Sequence, residues 1–109
     1  MKWKTLRENI RLEFNDIELD GRINYDPSQH ALIFVDPTTG EDEVLTVDLL
    51  SSGYLARPGE VFVKDWSEHT GLGAALATHG IAEIVESVRV GPFGLAAYRM
   101  RVIEHESAY

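Results

Sequence analysis

Hydrophobic and polar residues alternate with a period of two in the first quarter of the chain. Ile10, Leu12 and Phe14 alternate with polar positions, and the alternation resumes after Asn15 and Asp16. A period of two places successive side chains on opposite faces of a strand, so that one face is buried. Asn and Asp tolerate the left-handed backbone of a two-residue turn. The pattern therefore predicts a β-hairpin over residues 7–25.

Shorter apolar segments predict further strands. Residues 31–35 form a continuous apolar run, whose length and β-branched content favour a central strand. Residues 44–49 alternate again, and residues 61–63 form another short apolar run. Near the end of the chain, residues 84–90 and 95–103 flank a Gly-Pro-Phe-Gly turn, which predicts a second hairpin.

One segment has helical spacing. Asp65 is placed as an N-cap with Glu68 three residues later, which predicts a capping box in which Asp65 accepts from the Glu68 backbone N–H. Apolar residues follow at helical spacing, and Gly80 is a typical C-terminal stop. We therefore predict a helix over about residues 66–79. Its two internal glycines each cost up to about 1 kcal/mol relative to alanine, so docking on the sheet must stabilise it.

Together these elements predict an α+β protein with a mainly antiparallel sheet of about six or seven strands and one helix packed on one face. A chain of 109 residues has the size of one domain. We expect a single globular domain over residues 1–109, with a core over about 7–103 and a frayed tail over 104–109. The strand order stays open, because the helix could connect strands that pair over a longer range.

Acidic residues are concentrated in the middle of the chain. The chain carries 18 acidic and 10 basic residues, with a formal net charge of −8, and such a field attracts basic partners and repels nucleic acid. No Lys or Arg occurs between Arg22 and Arg57. The acidic residues of this interval are Asp26, Asp36, Glu41, Asp42, Glu43 and Asp48. Residues 36–48 are thus the best candidate for binding a partner, and the plainer interpretation is a solvated surface.

Composition excludes several classes of site. The chain has no cysteine, which excludes disulfides, thiolate metal sites and a cysteine nucleophile. No apolar run approaches the roughly 20 residues of a membrane span. No apolar stretch follows the charged N-terminus, so we expect no secretory signal. We expect a cytoplasmic protein without a cofactor.

The segment from Glu60 to His69 reads EVFVKDWSEH. It resembles the signature of a family of small domains of unknown function found in phages, plasmids and other bacterial mobile elements. Members of that family have a strand pair, a strand that leads through FVKD, an aromatic residue and SE into a short helix, and a C-terminal hairpin. His69 and Thr70 depart from the commoner Asn and Glu of the family. The resemblance implies a phage or mobile-element setting and no catalytic residues.

Residue types suited to metal binding or catalysis occur without a recognised spacing. The four histidines are His30, His69, His79 and His105, and none forms an H-x-x-x-H pair. Ser67 combines with Asp65 and His69 to give the residue types of a hydrolase triad. Residues two apart at the start of a helix do not face each other, however, and capping explains Asp65 and Ser67 better. We therefore predict no catalytic residue and no metal ligand.

Two further features could contact a partner. Trp66 lies at a strand–helix junction, where it either anchors the helix on the core, which we favour, or projects as a binding residue. Three arginines form a basic stripe on the last hairpin, unless they pair with Glu86 and neighbouring acids. The predicted partner-binding residues are Asp36, Glu41, Asp42, Glu43, Asp48, Trp66, Arg89, Arg99 and Arg101.

Small size, acidic charge and the lack of a catalytic motif favour a non-enzymatic protein that binds one host macromolecule. A sharper version is an anti-CRISPR-like inhibitor of a host defence complex. The expected partner is a host protein, such as a basic nucleic-acid-binding effector complex, and not nucleic acid itself or a membrane. Two alternatives stay open. One is a structural homo-oligomer, such as a homodimer that pairs edge strands. The other is a small metal-dependent enzyme that uses His69, Asp65 and Glu68.

Overall fold

The computed structural model of the protein describes residues 3–104. It contains seven β-strands, two short 3₁₀ turns and one α-helix, and the paired strands are antiparallel, which confirms the α+β class. The elements are β1 (Lys4–Phe14), β2 (Ile17–Asp26), β3 (Ala31–Val35), β4 (Asp42–Val44), a 3₁₀ turn (Leu50–Ser52), β5 (Glu60–Lys64), a 3₁₀ turn (Ser67–His69), α1 (Leu72–Thr78), β6 (Ala82–Val90) and β7 (Leu95–Val102).

The first hairpin forms as predicted, because its two turn residues take up left-handed backbone. Asn15 has a φ of 49° and Asp16 a φ of 64°, and they connect β1 to β2 with Phe14 opposite Ile17. Gly21 in β2 lies so close to β3 that a Cβ there would overlap the Val35 carbonyl. Close approach of a neighbouring backbone is a common reason for glycine within a strand.

The strands divide between two sheets and do not form the single predicted sheet. The first has the order β1-β2-β3-β4 and the second the order β5-β7-β6. Just after β4 the chain changes partner, since Thr46 forms a bridge with Val63 and the Val47 N–H donates to the Phe62 carbonyl at 2.9 Å. The strand predicted over residues 44–49 overlaps β4 only at Val44, because the residues that follow link the two sheets.

The helix begins at Leu72 and not at the predicted position 66. The Asp65 carboxylate accepts from the backbone N–H groups of Gly71 (3.0 Å) and Gly73 (2.9 Å), so the predicted capping box with Glu68 is wrong. Asp65 still caps the helix, but across the intervening 3₁₀ turn. Gly71 precedes the helix with a φ of 93°, a conformation that favours glycine.

The end of the helix is where the sequence predicts it. Gly80 has a φ of 70°, its N–H donates to the Ala77 carbonyl at 3.0 Å, and the Ile81 N–H donates to the Leu76 carbonyl at 3.0 Å. This pair of bonds is the Schellman motif, which satisfies the last carbonyls of a helix. Ile81 and Leu76 are both fully buried, so the motif also directs the chain from α1 into β6.

The main core lies between α1 and the inner faces of both sheets. Leu72 and Leu76 of α1 are fully buried, which confirms that the helix packs against the strands. The strands contribute Ile10, Leu12, Phe14, Ile23, Tyr25, Leu32, Phe34, Val61, Val63, Ala82, Met100 and Val102, and Leu45 and Ile81 complete the cluster.

A second, smaller apolar cluster lies on the other face of the β5-β7-β6 sheet. Its buried members are Leu49, Phe62, Val88 and Ala97. Partly buried residues pack against it from the connection between β4 and β5, from the junction after β5 and from β6, namely Val47, Tyr54, Ala56, Trp66 and Val90. The irregular connection thus covers the outer face of this sheet.

At the end of the described chain, Glu104 forms an ion pair with Lys4 at 2.5 Å. The rest of the predicted frayed tail, residues 105–109, lies outside the described residues, as does His105. In residues 3–104, no helix combines the length and the apolar character that a membrane crossing requires.

Candidate acidic binding site

Six acidic residues line one cavity beside the turn between β3 and β4. The cavity has a volume of about 140 Å³. We call it the acidic groove, and its lining residues are Glu18, Leu19, Asp20, Phe34, Asp36, Glu41, Asp42 and Glu43. Leu19 and Phe34 are its only apolar members. The groove therefore combines dense negative charge with a small apolar surface.

The turn between β3 and β4 places four of these acids. Asp36 shapes the turn, since its side chain accepts from the Thr38 N–H at 2.8 Å and its carbonyl accepts from the Gly40 N–H at 2.7 Å. Asp42 and Glu43 follow on β4, where they pair with Val35 and Phe34 of β3. This part of the site is predicted from the sequence.

The other two acids, Glu18 and Asp20 on β2, are not predicted from the sequence. They lie in a different part of the chain, and only the antiparallel pairing of β2 with β3 brings them beside the turn. Alternating acids at positions 16, 18 and 20 were the signal that could have indicated an acidic strand face.

The two sides of the groove differ in how their charge is compensated. On the β2 side, the Arg11 guanidinium donates to Asp20 at 3.0 and 3.2 Å and lies 3.7 Å from Glu18. The bond to Asp20 and the charges nearby raise the pKa of Arg11. On the turn side, no cationic side chain within residues 3–104 comes within ion-pair distance of Glu41 or Asp42. Both of these residues are exposed, so the uncompensated charge lies there.

Asp48 lies outside the acidic groove, although the sequence groups it with the other acids. Its carboxylate accepts from the Leu50 N–H at 3.0 Å. It lines a separate cavity of about 210 Å³ together with His30, Tyr54 and Phe62. The predicted acidic segment is thus divided, because the chain crosses from the first sheet to the second between Val44 and Asp48.

Glu43 also connects the groove to the 3₁₀ turn before α1. Its carboxylate lies 2.7 Å from His69 Nε2, and the His69 ring stacks on Phe14 with centroids 6.2 Å apart. Ligand atoms of Glu43, Glu68 and His69 all lie within 4.8 Å of one another. These three residues could hold a metal ion. Asp65, which the alternative of a metal-dependent enzyme included, is not a member of this group, and its two carboxylate oxygens accept from the start of α1.

Asp65, Ser67 and His69, the three residue types of a hydrolase triad, do not contact one another as a triad would require. Asp65 bonds to the helix, and the His69 Nε2 atom bonds to Glu43 and not to Ser67. Ser67 has a φ of 52°, and its carbonyl accepts from the Thr70 hydroxyl at 2.8 Å. Asp65 and His69 therefore make contacts other than those that a triad would need.

Trp66 and the arginines of the last hairpin lie away from the groove. Trp66 is half-buried and packs against the second apolar cluster. Arg101 pairs with Glu83 at 2.6 Å, and Arg89 donates to the Gly94 carbonyl at 3.1 Å. The arginines thus bond to neighbouring groups of their own sheet.

Arg99 is the most enclosed of these arginines. Its side chain is 13% exposed and lies 2.7 Å from both Glu60 and Glu86. It also donates to the Leu55 carbonyl at 2.9 Å and lies over the Phe62 ring at 4.9 Å. The structure therefore shows pairing with acids, which was the alternative to a basic stripe.

Comparison with protein-family models, with curated proteins and with solved structures found no match for this chain. The resemblance to a mobile-element family therefore stays a prediction. The acidic groove is the structural feature that bears most directly on function.

Proposed function

We propose that this protein is a non-enzymatic binding protein that docks a basic segment of a partner protein in the acidic groove. The observation that carries the proposal is that six acidic residues from two separate chain segments line one cavity.

The groove suits an arginine or lysine side chain. The apolar stem of such a side chain packs on the partly exposed Leu19, while its charged head meets the carboxylates. Arginine suits the site best, because its planar guanidinium binds carboxylates through two parallel hydrogen bonds. Glu41 and Asp42 are the main acceptors, since Arg11 already compensates Asp20.

The net charge of −8 supports the same function at longer range. A strongly acidic protein attracts basic partners and accelerates their encounter. We propose a cytoplasmic host protein as the partner, with a basic nucleic-acid-binding effector complex as the sharper candidate. Inhibition of a host defence complex, in the manner of an anti-CRISPR protein, is the form of this function that the family resemblance favours.

Fluorescence anisotropy with a labelled arginine-rich peptide tests the binding. We expect saturable binding that weakens as salt rises, because exposed charges are screened beyond about 10 Å at 0.1 M salt. Glu41→Lys should weaken binding by more than about tenfold, since like charges across an interface cost several kcal/mol. The matched control is Glu8→Lys, an equal charge change at an exposed position of β1 outside the groove.

Two results would contradict this function. If Glu8→Lys and Glu41→Lys weakened binding equally, the peptide would be responding to net charge alone. If the peptide did not bind the unmodified protein at low salt, the groove would not be a docking site for basic segments.

A second candidate function, self-assembly, rests on the edge strand β6. β6 lies at one edge of the second sheet and exposes Ile84 (44%) and Val85 (47%). An exposed apolar edge is a template for pairing with another copy. Light scattering should then report a dimer that Val85→Lys dissociates and Leu55→Lys, an equally apolar-to-charged change off this edge, does not. A monomer at all concentrations would exclude this candidate.

A further inference from the structure

A compact group of metal-ligating side chains lies beside the acidic groove. It consists of one imidazole and two carboxylates, from His69, Glu68 and Glu43, whose ligand atoms lie within 4.8 Å of one another. Within residues 3–104 it is the only group of three such residues with this spacing. Glu43 comes from β4, whereas the other two come from the 3₁₀ turn before α1.

The histidine of this group is held in a fixed orientation. His69 is 8% exposed, and its ring stacks on Phe14 at an interplanar angle of 17°. This packing directs Nε2 toward the Glu43 carboxylate at 2.7 Å. A buried imidazole whose Nε2 already faces a carboxylate is oriented as a ligand, so little side-chain entropy is lost on binding.

The backbone that carries Glu68 and His69 is also fixed. The His69 N–H donates to the Trp66 carbonyl at 2.9 Å, and the Asn15 side chain donates to the Ser67 carbonyl at 3.2 Å. The turn is thereby tied to the first hairpin. On the other side, Glu43 is placed by its pairing with Phe34 in the first sheet.

We propose that Glu43, Glu68 and His69 form a binding site for a Zn²⁺-class divalent ion. Zinc takes imidazole nitrogen and carboxylate oxygen at about 2.0–2.2 Å, so its ligand atoms lie about 3–4 Å apart. The observed cluster needs only small side-chain adjustments to reach that spacing. Two carboxylates balance the charge of the ion, and a fourth position stays open to solvent.

The donor set also selects the kind of ion. Ca²⁺ and Mg²⁺ prefer all-oxygen coordination, whereas imidazole suits zinc and other first-row transition metals. A bound ion replaces the contact between His69 and Glu43 and links β4 to the turn that precedes α1. Glu43 belongs to both sites, but Glu68 and His69 do not line the acidic groove, so a change at Glu68 tests the metal site separately from peptide docking.

Titration calorimetry with Zn²⁺ on chelator-treated protein tests the site, with Mg²⁺ as the comparison ion. We expect one Zn²⁺ per chain, no saturable Mg²⁺ binding, and a higher Tm with zinc because the ion binds the folded state. Glu68→Gln should weaken zinc binding by more than tenfold, since even outer-shell partners of metal ligands contribute 10- to 100-fold. Glu68 is exposed, so this variant keeps its fold.

The control is Glu13→Gln, which removes an exposed carboxylate of β1 from the residue next to Phe14. It should bind zinc as the unmodified protein does. The proposal is overturned if zinc does not bind, if Glu68→Gln binds as tightly as the unmodified protein, or if Glu13→Gln loses as much affinity as Glu68→Gln. Glu68→Gln should also bind the arginine-rich peptide normally, so failure of the metal site is distinguishable from failure of the groove.

Discussion

Arg99 links two strands of the second sheet to the loop that covers this sheet. It bonds to Glu60 on β5, to Glu86 on β6 and to the Leu55 carbonyl in the connection between β4 and β5. Glu60 is 7% exposed, so removing Arg99 leaves a buried carboxylate without its cation. Breaking such a pair from one side is strongly destabilising, because the remaining charge has lost both its partner and water.

We therefore predict that Arg99→Met lowers the free energy of unfolding by about 3 kcal/mol. The matched control is Arg101→Met on the same strand. Both side chains of the Arg101–Glu83 ion pair are exposed, so this substitution should change the free energy of unfolding little. Urea unfolding of the three proteins measures the difference. Equal losses for the two variants would show that Arg99 does not have this role.

The ionisation of Glu60 gives the same contact a pH dependence. Burial opposes the charged form, but hydrogen bonds from the Arg57 N–H and from Arg99 outweigh it, so the pKa of Glu60 lies below its usual range. Because the pKa of Glu60 is lower in the folded state, its ionisation stabilises the protein at pH values above the unfolded-state pKa of about 4.3. That stabilisation is lost as the pH falls through the folded-state value.

The free energy of unfolding, measured with urea, should thus decrease as the pH falls below about 5. Glu60→Gln should make this decrease with pH less steep. The variant is less stable at neutral pH, so the comparison concerns slopes and not absolute values. Identical slopes for both proteins would assign the acid sensitivity to other carboxylates.

At the level of elements, the start of α1 depends on one side chain outside the helix. Asp65 accepts from two of the N–H groups that have no partner within the helix, those of Gly71 and Gly73. Gly73 has to be small, because a Cβ there would lie 2.6 Å from the Tyr98 ring. The two glycines that weaken a helix over residues 66–79 are therefore what lets the shorter helix dock.

We predict that Asp65→Ala destabilises the protein by about 2 kcal/mol, which is the upper range for loss of a helix cap. Glu68→Ala, measured in the presence of a chelator, should have almost no effect. A capping box would instead make both substitutions costly. Chemical denaturation decides between the two arrangements, and a large effect of Glu68→Ala would restore the capping box.

The elements that sequence patterns predict well are those whose signals are local. The first hairpin has a clear alternation and a polar two-residue turn, and Gly80 ends the helix as expected. The strand predicted over residues 44–49 fails because its second half changes pairing partner at Thr46, and no local pattern reports that. Similarly, the turn acids of the groove were predicted, whereas Glu18 and Asp20 join them only through strand pairing.

At the scale of the whole molecule, the described acids of the second sheet and several of the β1–β2 hairpin pair with arginines, whereas two acids beside the β3–β4 turn do not. In the second sheet, Glu60, Glu83 and Glu86 each pair with an arginine of β7. In the first, Glu41 and Asp42 have no cationic partner among residues 3–104. Part of the net charge of −8 is therefore left without a cation beside the turn between β3 and β4. This asymmetry is the whole-molecule argument for a basic partner that docks at the acidic groove.

The most direct test of docking at the groove is to titrate an arginine-rich peptide into isotope-labelled protein and follow the backbone amide signals by NMR. We expect saturable shifts concentrated at residues 18–20, 34–36 and 41–43, while the β6–β7 hairpin stays unchanged. Shifts spread evenly over the exposed acids, or centred on Glu83 and Glu86, would mean that the acidic groove is not the docking site.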